Sequence, residues 1–171
     1  MLIRAMTPQD WPQVARIFQQ GIDDGNATLH PHVPAYPDWD RSRDPEPRLV
    51  AEEAGRVLGW TALSPVSGRA CYRGVKELAI YVERPARGRG VGTALLNALI
   101  AQSEAMGIWM LEAHILEGNR ASLALHSACG FRRVGLRERI GADKQGRWHS
   151  TVLMERRSRL VEWEEEDAHV H

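Results

Sequence analysis

A glycine-rich segment containing two arginines lies between a predicted strand and a predicted helix. Segment 77–93 reads E-L-A-I-Y-V-E-R-P-A-R-G-R-G-V-G-T, with glycines at positions 88, 90 and 92. The apolar run before the loop is typical of a strand, and the alanine- and leucine-rich run after Thr93 predicts a helix. A helix N-terminus offers unpaired N–H groups and a partial positive charge, and glycines let phosphate oxygens approach the backbone. The segment therefore predicts a site for a phosphate-bearing ligand.

The spacing of this loop excludes two common phosphate-binding motifs. A nucleoside-triphosphate loop requires G-x-x-x-x-G-K-[ST], and the sequence contains no Gly-Lys pair. The dinucleotide fingerprint requires G-x-G-x-x-G, whereas this loop reads G-x-G-x-G. The loop instead resembles the acetyl-CoA signature Q/R-x-x-G-x-G/A of the GCN5-related N-acetyltransferase (GNAT) superfamily. This resemblance implies that the coenzyme A phosphates bind at Arg87, Gly88, Arg89, Gly90, Val91, Gly92 and Thr93. An ordinary glycine loop that allows tight helix packing remains the alternative.

The length and composition indicate one domain without a strong charge bias. The 171 residues suffice for a two-layer core, and 22 basic residues balance 22 acidic ones. No basic field therefore predicts nucleic-acid binding. Cys71 and Cys129 lack metal-ligand spacing, and nothing else points to an oxidising compartment. Because neither a signal-type region nor a membrane-length apolar run is visible, we expect a soluble cytoplasmic protein that does not bind membranes.

The periodicity of the first third predicts a strand, a helix and a long loop. Residues 2–6 read as a strand, and Thr7 with Pro8 reads as the start of a helix whose apolar stripe ends at Gly25. Segment 26–47 contains five prolines and no clear period. We predict a loop with one short helix there, and long ordered loops are often functional.

The remainder of the chain predicts a mixed α/β fold. The expected strands are 48–52, 57–63, 77–82, 109–114, 131–140 and 149–156, and the expected helices are 90–106 and 119–129. The resulting order is that of the GNAT fold, so the resemblance implies a mixed central β-sheet flanked by helices in a single domain, residues 1–157. Residues 158–171, which include four consecutive acids at 164–167, are expected to form a flexible, solvated tail.

The second half of the chain narrows the resemblance to a subfamily. Segment 117–131, E-G-N-R-A-S-L-A-L-H-S-A-C-G-F, is similar to the superfamily pattern N-x-x-[SA]-x-x-[LF]-[YH]-x-x-x-G-[FY]. Together with segments 72–77, 135–138 and 146–150, it resembles the phosphinothricin and methionine-sulfoximine acetyltransferases. This resemblance implies acetyl-CoA as co-substrate, a small amino-acid-like amine as acceptor, and a homodimer.

Acyl transfer from a thioester to an amine requires a base, because only the unprotonated amine is a nucleophile. Glu77 occupies the position of the catalytic glutamate in the subfamily pattern E-x-x-[VI]-Y-V, so the resemblance implies that it takes this proton. The alternative is a strand-end glutamate that pairs with Lys76 or Arg73 in solvent.

Other residues of the resemblance surround the thioester. His126 replaces the tyrosine that the superfamily often places near the coenzyme sulfur; it is expected to protonate the departing thiolate or to hydrogen-bond the pantetheine, unless it is only a packing residue. A backbone N–H near Tyr81 or Val82 is expected to stabilise the developing oxyanion. Asn119 and Ser122 begin a helix, where they are expected to cap it, to reach coenzyme A, or both.

The acceptor site is the least defined part of the resemblance. Arg73 matches an arginine that binds the α-carboxylate in the subfamily, a task suited to a guanidinium fork, and a solvent-exposed role is equally open. Trp148 matches an aromatic residue expected to wall the pocket or to pack. Where the subfamily loop reads A-T-F-E-T, this chain has Leu29 and His30 in place of the ring and the acid, so its acceptor wall differs.

Neither histidine pair of the chain makes a convincing metal site. His30-x-His32 and His169-x-His171 each lack a third ligand of known proximity, so we expect no metal. Two further function classes stay open: an acetyltransferase for protein N-termini, lysines or polyamines, and a non-catalytic acyl-CoA-binding module. The joint presence of Glu77, His126 and Arg73 favours an enzyme over a module.

Overall fold

The computed structural model describes residues 1–162 as a seven-stranded sheet with helices on both faces. The strands are β1 (Leu2–Ala5), β2 (Arg48–Glu53), β3 (Arg56–Pro65), β4 (Val75–Val82), β5 (Met110–Leu116), β6 (Arg132–Ala142) and β7 (Trp148–Arg157). The helices are α1 (Trp11–Asp24), α2 (Tyr36–Ser42), α3 (Val91–Ala105) and α4 (Arg120–Ala128). The predicted single-domain mixed α/β fold is confirmed.

The strand order β1-β2-β3-β4-β5-β7-β6 contains one parallel pair, β4 with β5. These two strands are paired only from Val75–Met110 to Glu77–Glu112. Beyond Glu77, β4 continues to Val82 and β5 to Leu116 without pairing to each other. The sheet therefore splits at its centre, and Glu77 lies where the two strands begin to diverge.

Two apolar cores cover the two faces of the sheet. On one face, α3 buries Leu95, Leu96 and Leu99 completely. On the other face, α1 and α2 pack an aromatic group that includes Phe18, Trp39 and Trp60. Alternation along β4 assigns Leu78, Ile80 and Val82 to the α3 side and Ala79 and Tyr81 to the α1–α2 side. Glu77 shares the second face, because side chains two residues apart point the same way.

The ends of the first helix follow the expected chemistry. A 3₁₀ turn at Pro8–Asp10 leads into α1, and the Asp10 carboxylate accepts a hydrogen bond from the Thr7 N–H at 2.8 Å. Gly25 closes α1 at φ 74°, a left-handed conformation that glycine adopts without strain. Segment 26–47 holds one short helix, α2, in an otherwise irregular loop, as predicted.

The chain beyond β7 continues along the domain surface. The Ser158 N–H donates to the Trp109 carbonyl at 2.8 Å, and the Ser158 side chain is buried. The acidic run at 164–167 lies outside the described residues. Within residues 1–162, no helix has the length and apolar character needed to span a membrane.

Candidate active site

A cavity of about 620 Å³ occupies the gap between β4 and β5. Residues 78–82 of β4 form one wall, and residues 113–116 of β5 form the facing wall. The glycine loop and the start of α3, which follow the end of β4, close one end, while Glu77 at the start of the divergence lies at the other; the loop after α1 also lines the cavity. Since strand edges that face each other without pairing leave backbone N–H and C=O groups free, the cleft can bind an extended, amide-containing ligand.

The glycine loop presents an open backbone to this cavity. Gly88 and Gly90 have φ values of 75° and 82°, and a β-carbon built on either residue would meet no atom within 4 Å. Gly90 is also the N-cap of α3, so the free N–H groups of the helix start face the same space. Gly92 lines the cavity and also allows close packing, because its β-carbon would lie 3.1 Å from Cδ2 of Leu125 on α4.

The two loop arginines brace the loop. The Arg87 guanidinium pairs with the Asp24 carboxylate at 2.7 Å and donates to the Val82 carbonyl at 3.0 Å. Burial raises the pKa of Asp24, but the guanidinium groups of Arg87 and Arg84 outweigh it and lower the pKa overall. The Arg87–Asp24 pair ties the loop to the end of α1. Arg89 pairs with Glu53, the last residue of β2, at 2.9 Å, and does not line the cavity. In the described chain, therefore, neither arginine is an unpaired cation that faces the loop's ligand.

The first turn of α4 positions His126. The Asn119 side-chain oxygen accepts the Ser122 N–H at 3.2 Å, which caps the helix as predicted. His126 Nδ1–H donates to the Ser122 carbonyl at 2.7 Å, so Nε2 carries the lone pair of the neutral ring. Burial lowers the pKa of His126, and Nε2 is buried without a partner at the cavity wall. With its pKa lowered by burial, the ring is neutral at pH 7, and Nε2 can accept a hydrogen bond from a ligand.

Glu77 is half-buried at the apex of the cleft. Its two expected solvent partners are engaged elsewhere: Lys76 pairs with Asp44 at 2.8 Å, and Arg73 lies over the Trp109 ring at 5.0 Å. Within residues 1–162, the Glu77 carboxylate has neither an ion pair nor a hydrogen bond. A carboxylate in this position can accept a proton from a ligand in the cavity.

Tyr81 holds β4 against the aromatic core. Its ring stacks on Trp60 at 4.9 Å and lies 5.0 Å from Phe18, and burial raises the pKa of its hydroxyl. The backbone edge of β4 that does not pair with β3 faces the cavity. The aromatic packing therefore fixes the position of the strand whose N–H groups were predicted to meet the oxyanion.

The loop after α1 forms the acceptor-side wall. Leu29 lines the cavity and also packs across to β6, where a β-carbon on Gly141 would lie 2.7 Å from Leu29 Cδ1. His30 lies beside it, with its ring 5.6 Å from that of Phe18. The replacement of a phenylalanine and an acid by these two residues thus lies on the cavity surface.

A family model described as the acetyltransferase (GNAT) family matches residues 11–131, which is more than half of the chain. The chain belongs to the GNAT acetyltransferase family. It is therefore an acetyl-CoA-dependent N-acetyltransferase.

Several proteins resemble this GNAT acetyltransferase over most of its length. A phosphinothricin N-acetyltransferase of Alcaligenes faecalis is 37% identical over 162 residues, covering 90% of this chain and 81% of the relative. A phosphinothricin acetyltransferase of Sinorhizobium meliloti, solved with acetyl-CoA, is 31% identical with a TM-score of 0.81. The match covers 91% of this chain and 87% of the relative. A ribosomal-protein-alanine N-acetyltransferase of Brucella melitensis is 32% identical with a TM-score of 0.85. The match covers 92% of this chain and 100% of the relative.

The residues present fit acetyl-CoA on structural grounds. The open backbone at Gly88 and Gly90 suits the phosphates, and the unpartnered Nε2 of His126 suits an N–H or S–H donor inside the cleft. Within the described part of the chain, no group of three histidine, cysteine or acidic side chains is arranged to hold a metal ion. The pair His169-x-His171 lies outside the described residues.

Most of the predicted site residues of this acetyltransferase meet in the one cavity. Its lining includes Leu29, Glu77, Tyr81, Val82, Arg87, Gly88, Gly90, Val91, Gly92, Thr93, Asn119, Ser122 and His126. Arg73, Arg89 and Trp148 do not line it. Arg73 packs on Trp109 before β4 begins, and the Trp148 ring is 63% exposed on β7.

Sequence reasoning missed Arg43, which also lines the cavity. The only signal was its position in a long ordered loop, because nothing in the local pattern distinguishes it from Arg41. The course of the chain after α2 brings the Arg43 side chain to the cavity, and periodicity does not predict that course.

Proposed function

We propose that this acetyltransferase moves the acetyl group of acetyl-CoA to the primary amine of a small amino-acid-like acceptor, by direct attack in a ternary complex. The observation that carries the proposal is a single cavity lined by the open backbone of the glycine loop at one end and by Glu77 at the other, where the Glu77 carboxylate has no partner among residues 1–162. Donor and acceptor then meet inside one enclosed cleft, which is what a direct transfer requires. The relatedness to phosphinothricin acetyltransferases supports the class of acceptor.

In this proposal Glu77 accepts a proton from the acceptor's ammonium group, directly or through one water. The neutral amine nitrogen then attacks the thioester carbonyl carbon, forming the amide bond while the carbon–sulfur bond breaks. Backbone N–H groups of β4 near Tyr81 and Val82 stabilise the negative charge on the carbonyl oxygen. Acetyl-CoA supplies the activated acetyl group for this chemistry.

His126 has a positioning role in this proposal. Because its Nδ1–H is committed to the Ser122 carbonyl and its pKa is lowered, Nε2 accepts a hydrogen bond from the bound pantetheine or thiol. The amine nitrogen loses its second proton as the amide forms, and the departing thiolate takes up that proton directly or through water, while the proton held on Glu77 passes to solvent. The proposed chemistry therefore differs from one in which His126 is the acid.

A thiol-release assay with purified protein and acetyl-CoA tests the proposal. We expect turnover with L-methionine sulfone or phosphinothricin, confirmed by mass spectrometry of the acetylated product, and a kcat/KM at least ~100-fold lower for polyamines and peptide N-termini. Preference for a peptide N-terminus would replace this function with protein acetylation. Acetyl-CoA binding without acetylation of any amine would favour the non-catalytic module.

We also propose a homodimer formed through the last two strands. Four large apolar side chains are exposed there, namely Val134, Leu136, Ile140 and Trp148. Because β6 is an edge strand, apolar side chains beside an unpaired edge favour association with a second copy.

Light scattering tests the dimer. It is expected to give twice the chain mass of 19.2 kDa, and Leu136→Asp is expected to give the monomer. The control Leu160→Asp changes a side chain that is 80% exposed away from these strands, and it should leave the mass unchanged. A wild-type monomer would contradict the proposal.

The cytoplasm is the proposed compartment. Cys71 and Cys129 are both free thiols, and unpaired cysteines suit a reducing environment. With a formal net charge of zero, neither nucleic acid nor a membrane surface is proposed as a partner.

A further inference from the structure

Arg43 places a guanidinium in the acceptor end of the cavity without a counter-ion. The residue follows α2 and lines the cavity together with Glu77 and His30. Its Nε atom is buried and makes no hydrogen bond, and among residues 1–162 no carboxylate forms an ion pair with it. Since a partly buried cation without a counter-ion is costly, this arrangement favours a ligand that brings an anion.

The backbone that carries Arg43 is held firmly by a second arginine. The Arg48 guanidinium donates to the main-chain carbonyls of Asp40, Arg43 and Asp44 at 2.9, 3.1 and 2.7 Å, and it pairs with the Asp40 carboxylate. Asp44, the acid next to Arg43, is committed to Lys76 at 2.8 Å. Arg43 is therefore rigidly presented, while the nearby acids in the loop are engaged elsewhere.

The groups around Arg43 leave one cation and one carboxylate in this part of the cavity. Burial raises the pKa of Tyr81, so its hydroxyl stays neutral. Partial burial, together with the charge of Arg43, lowers the pKa of His30, so its ring is neutral at pH 7. Arg43 feels the charge of Glu77, yet the two side chains do not form an ion pair. The space between them is open to a ligand with charges of both signs.

We propose that Arg43 binds the α-carboxylate of a zwitterionic amino acid while Glu77 receives its ammonium group, an inference that rests on the function proposed above. The guanidinium fork matches a carboxylate, and the separation of charges in an α-amino acid matches a cation and a carboxylate on opposite sides of the acceptor space. Polyamines and peptide N-termini lack an adjacent carboxylate and leave Arg43 unpaired. Arg43 therefore sets the specificity for free amino acids, a role that the resemblance had given to Arg73.

Steady-state kinetics with L-methionine sulfone and its α-carboxamide test this role, because the two acceptors differ only in the carboxylate. For Arg43→Gln we expect the KM for the acid to rise about 10- to 100-fold, the loss typical of a charge-assisted hydrogen bond. The KM for the carboxamide and the KM for acetyl-CoA should change less than about 3-fold. Arg43→Lys should recover part of the affinity for the acid, because it keeps the charge and loses the fork.

Arg41→Gln is the matched control, since Arg41 lies two residues away with its side chain 72% exposed. It should leave all three KM values unchanged. An equal rise in KM for acid and carboxamide, or no change in Arg43→Gln, would overturn the role of Arg43.

Calorimetry separates this inference from the proposed function. If the wild type acetylates no amine, the proposed function fails, and binding of the two compounds still tests Arg43. The acid should bind at least ~10-fold more tightly than the carboxamide in the wild type and equally in Arg43→Gln. Equal binding of both compounds by the wild type would overturn the inference.

Discussion

Glu77→Gln is expected to lower kcat/KM for the amine at least ~100-fold, the usual contribution of a positioned general base. Glutamine keeps the shape of the side chain and loses the proton acceptor at the apex of the cleft. Because the Glu77 carboxylate makes no ion pair or hydrogen bond within residues 1–162, the substitution should leave the thermal unfolding midpoint nearly unchanged. Thiol release at saturating acetyl-CoA measures the effect.

Two further measurements test whether Glu77→Gln loses turnover because the proton acceptor is gone. Raising the pH towards the pKa of the acceptor's ammonium group should reduce the difference in rate between Glu77→Gln and the wild type, because the solution then supplies the unprotonated amine. Glu112→Gln is the control, since Glu112 lies opposite Glu77 in the register of β4 and β5 and does not line the cavity. Unchanged turnover in Glu77→Gln, or an equal loss in Glu112→Gln, would remove Glu77 from the mechanism.

Gly90→Val is expected to raise the KM for acetyl-CoA about 10- to 100-fold. Gly90 has φ 82° at the N-cap of α3, and a β-branched residue adopts that conformation only under strain. The loop must then shift, and one lost hydrogen bond to a charged phosphate costs about 1.5–3 kcal/mol, which corresponds to this change in affinity. Initial rates against acetyl-CoA concentration give the KM.

Gly55→Val is the matched control for backbone strain. Gly55 has φ 78° in the turn between β2 and β3, and it does not line the cavity. Both variants should lose thermal stability, while only Gly90→Val should lose affinity for acetyl-CoA. Retention of full affinity in Gly90→Val would contradict the phosphate role of the loop.

Local patterns in the sequence were sufficient to predict most of the elements. The Thr7–Pro8 helix start and the glycine after α1 act within a few residues, so their geometry follows from side-chain type. The limits of β5 differed by one or two residues, from 109–114 to Met110–Leu116. Strand ends depend on pairing with distant strands, which periodicity does not contain.

Charge partners were less predictable than elements. Arg87 and Arg89 were expected near the phosphates, yet they pair with Asp24 and Glu53, residues 63 and 36 positions earlier in the chain. Arg73 and Trp148 were expected at the acceptor, and the described chain places both outside the cavity. Long flexible side chains select partners only after the fold has brought those partners close.

The sequence by itself predicted the proposed donor end of the site, because a glycine loop and a helix N-terminus are built from adjacent residues whose backbone geometry is local. It also determined the identity of the candidate base, Glu77, through its position in a strand motif. Only the tertiary structure decided that β4 and β5 separate after Glu77, and that Arg43 lines the same cavity as Glu77 with no counter-ion among residues 1–162. Both facts arise from contacts between segments far apart in the chain, where packing against α1 and α2 outweighs local preference.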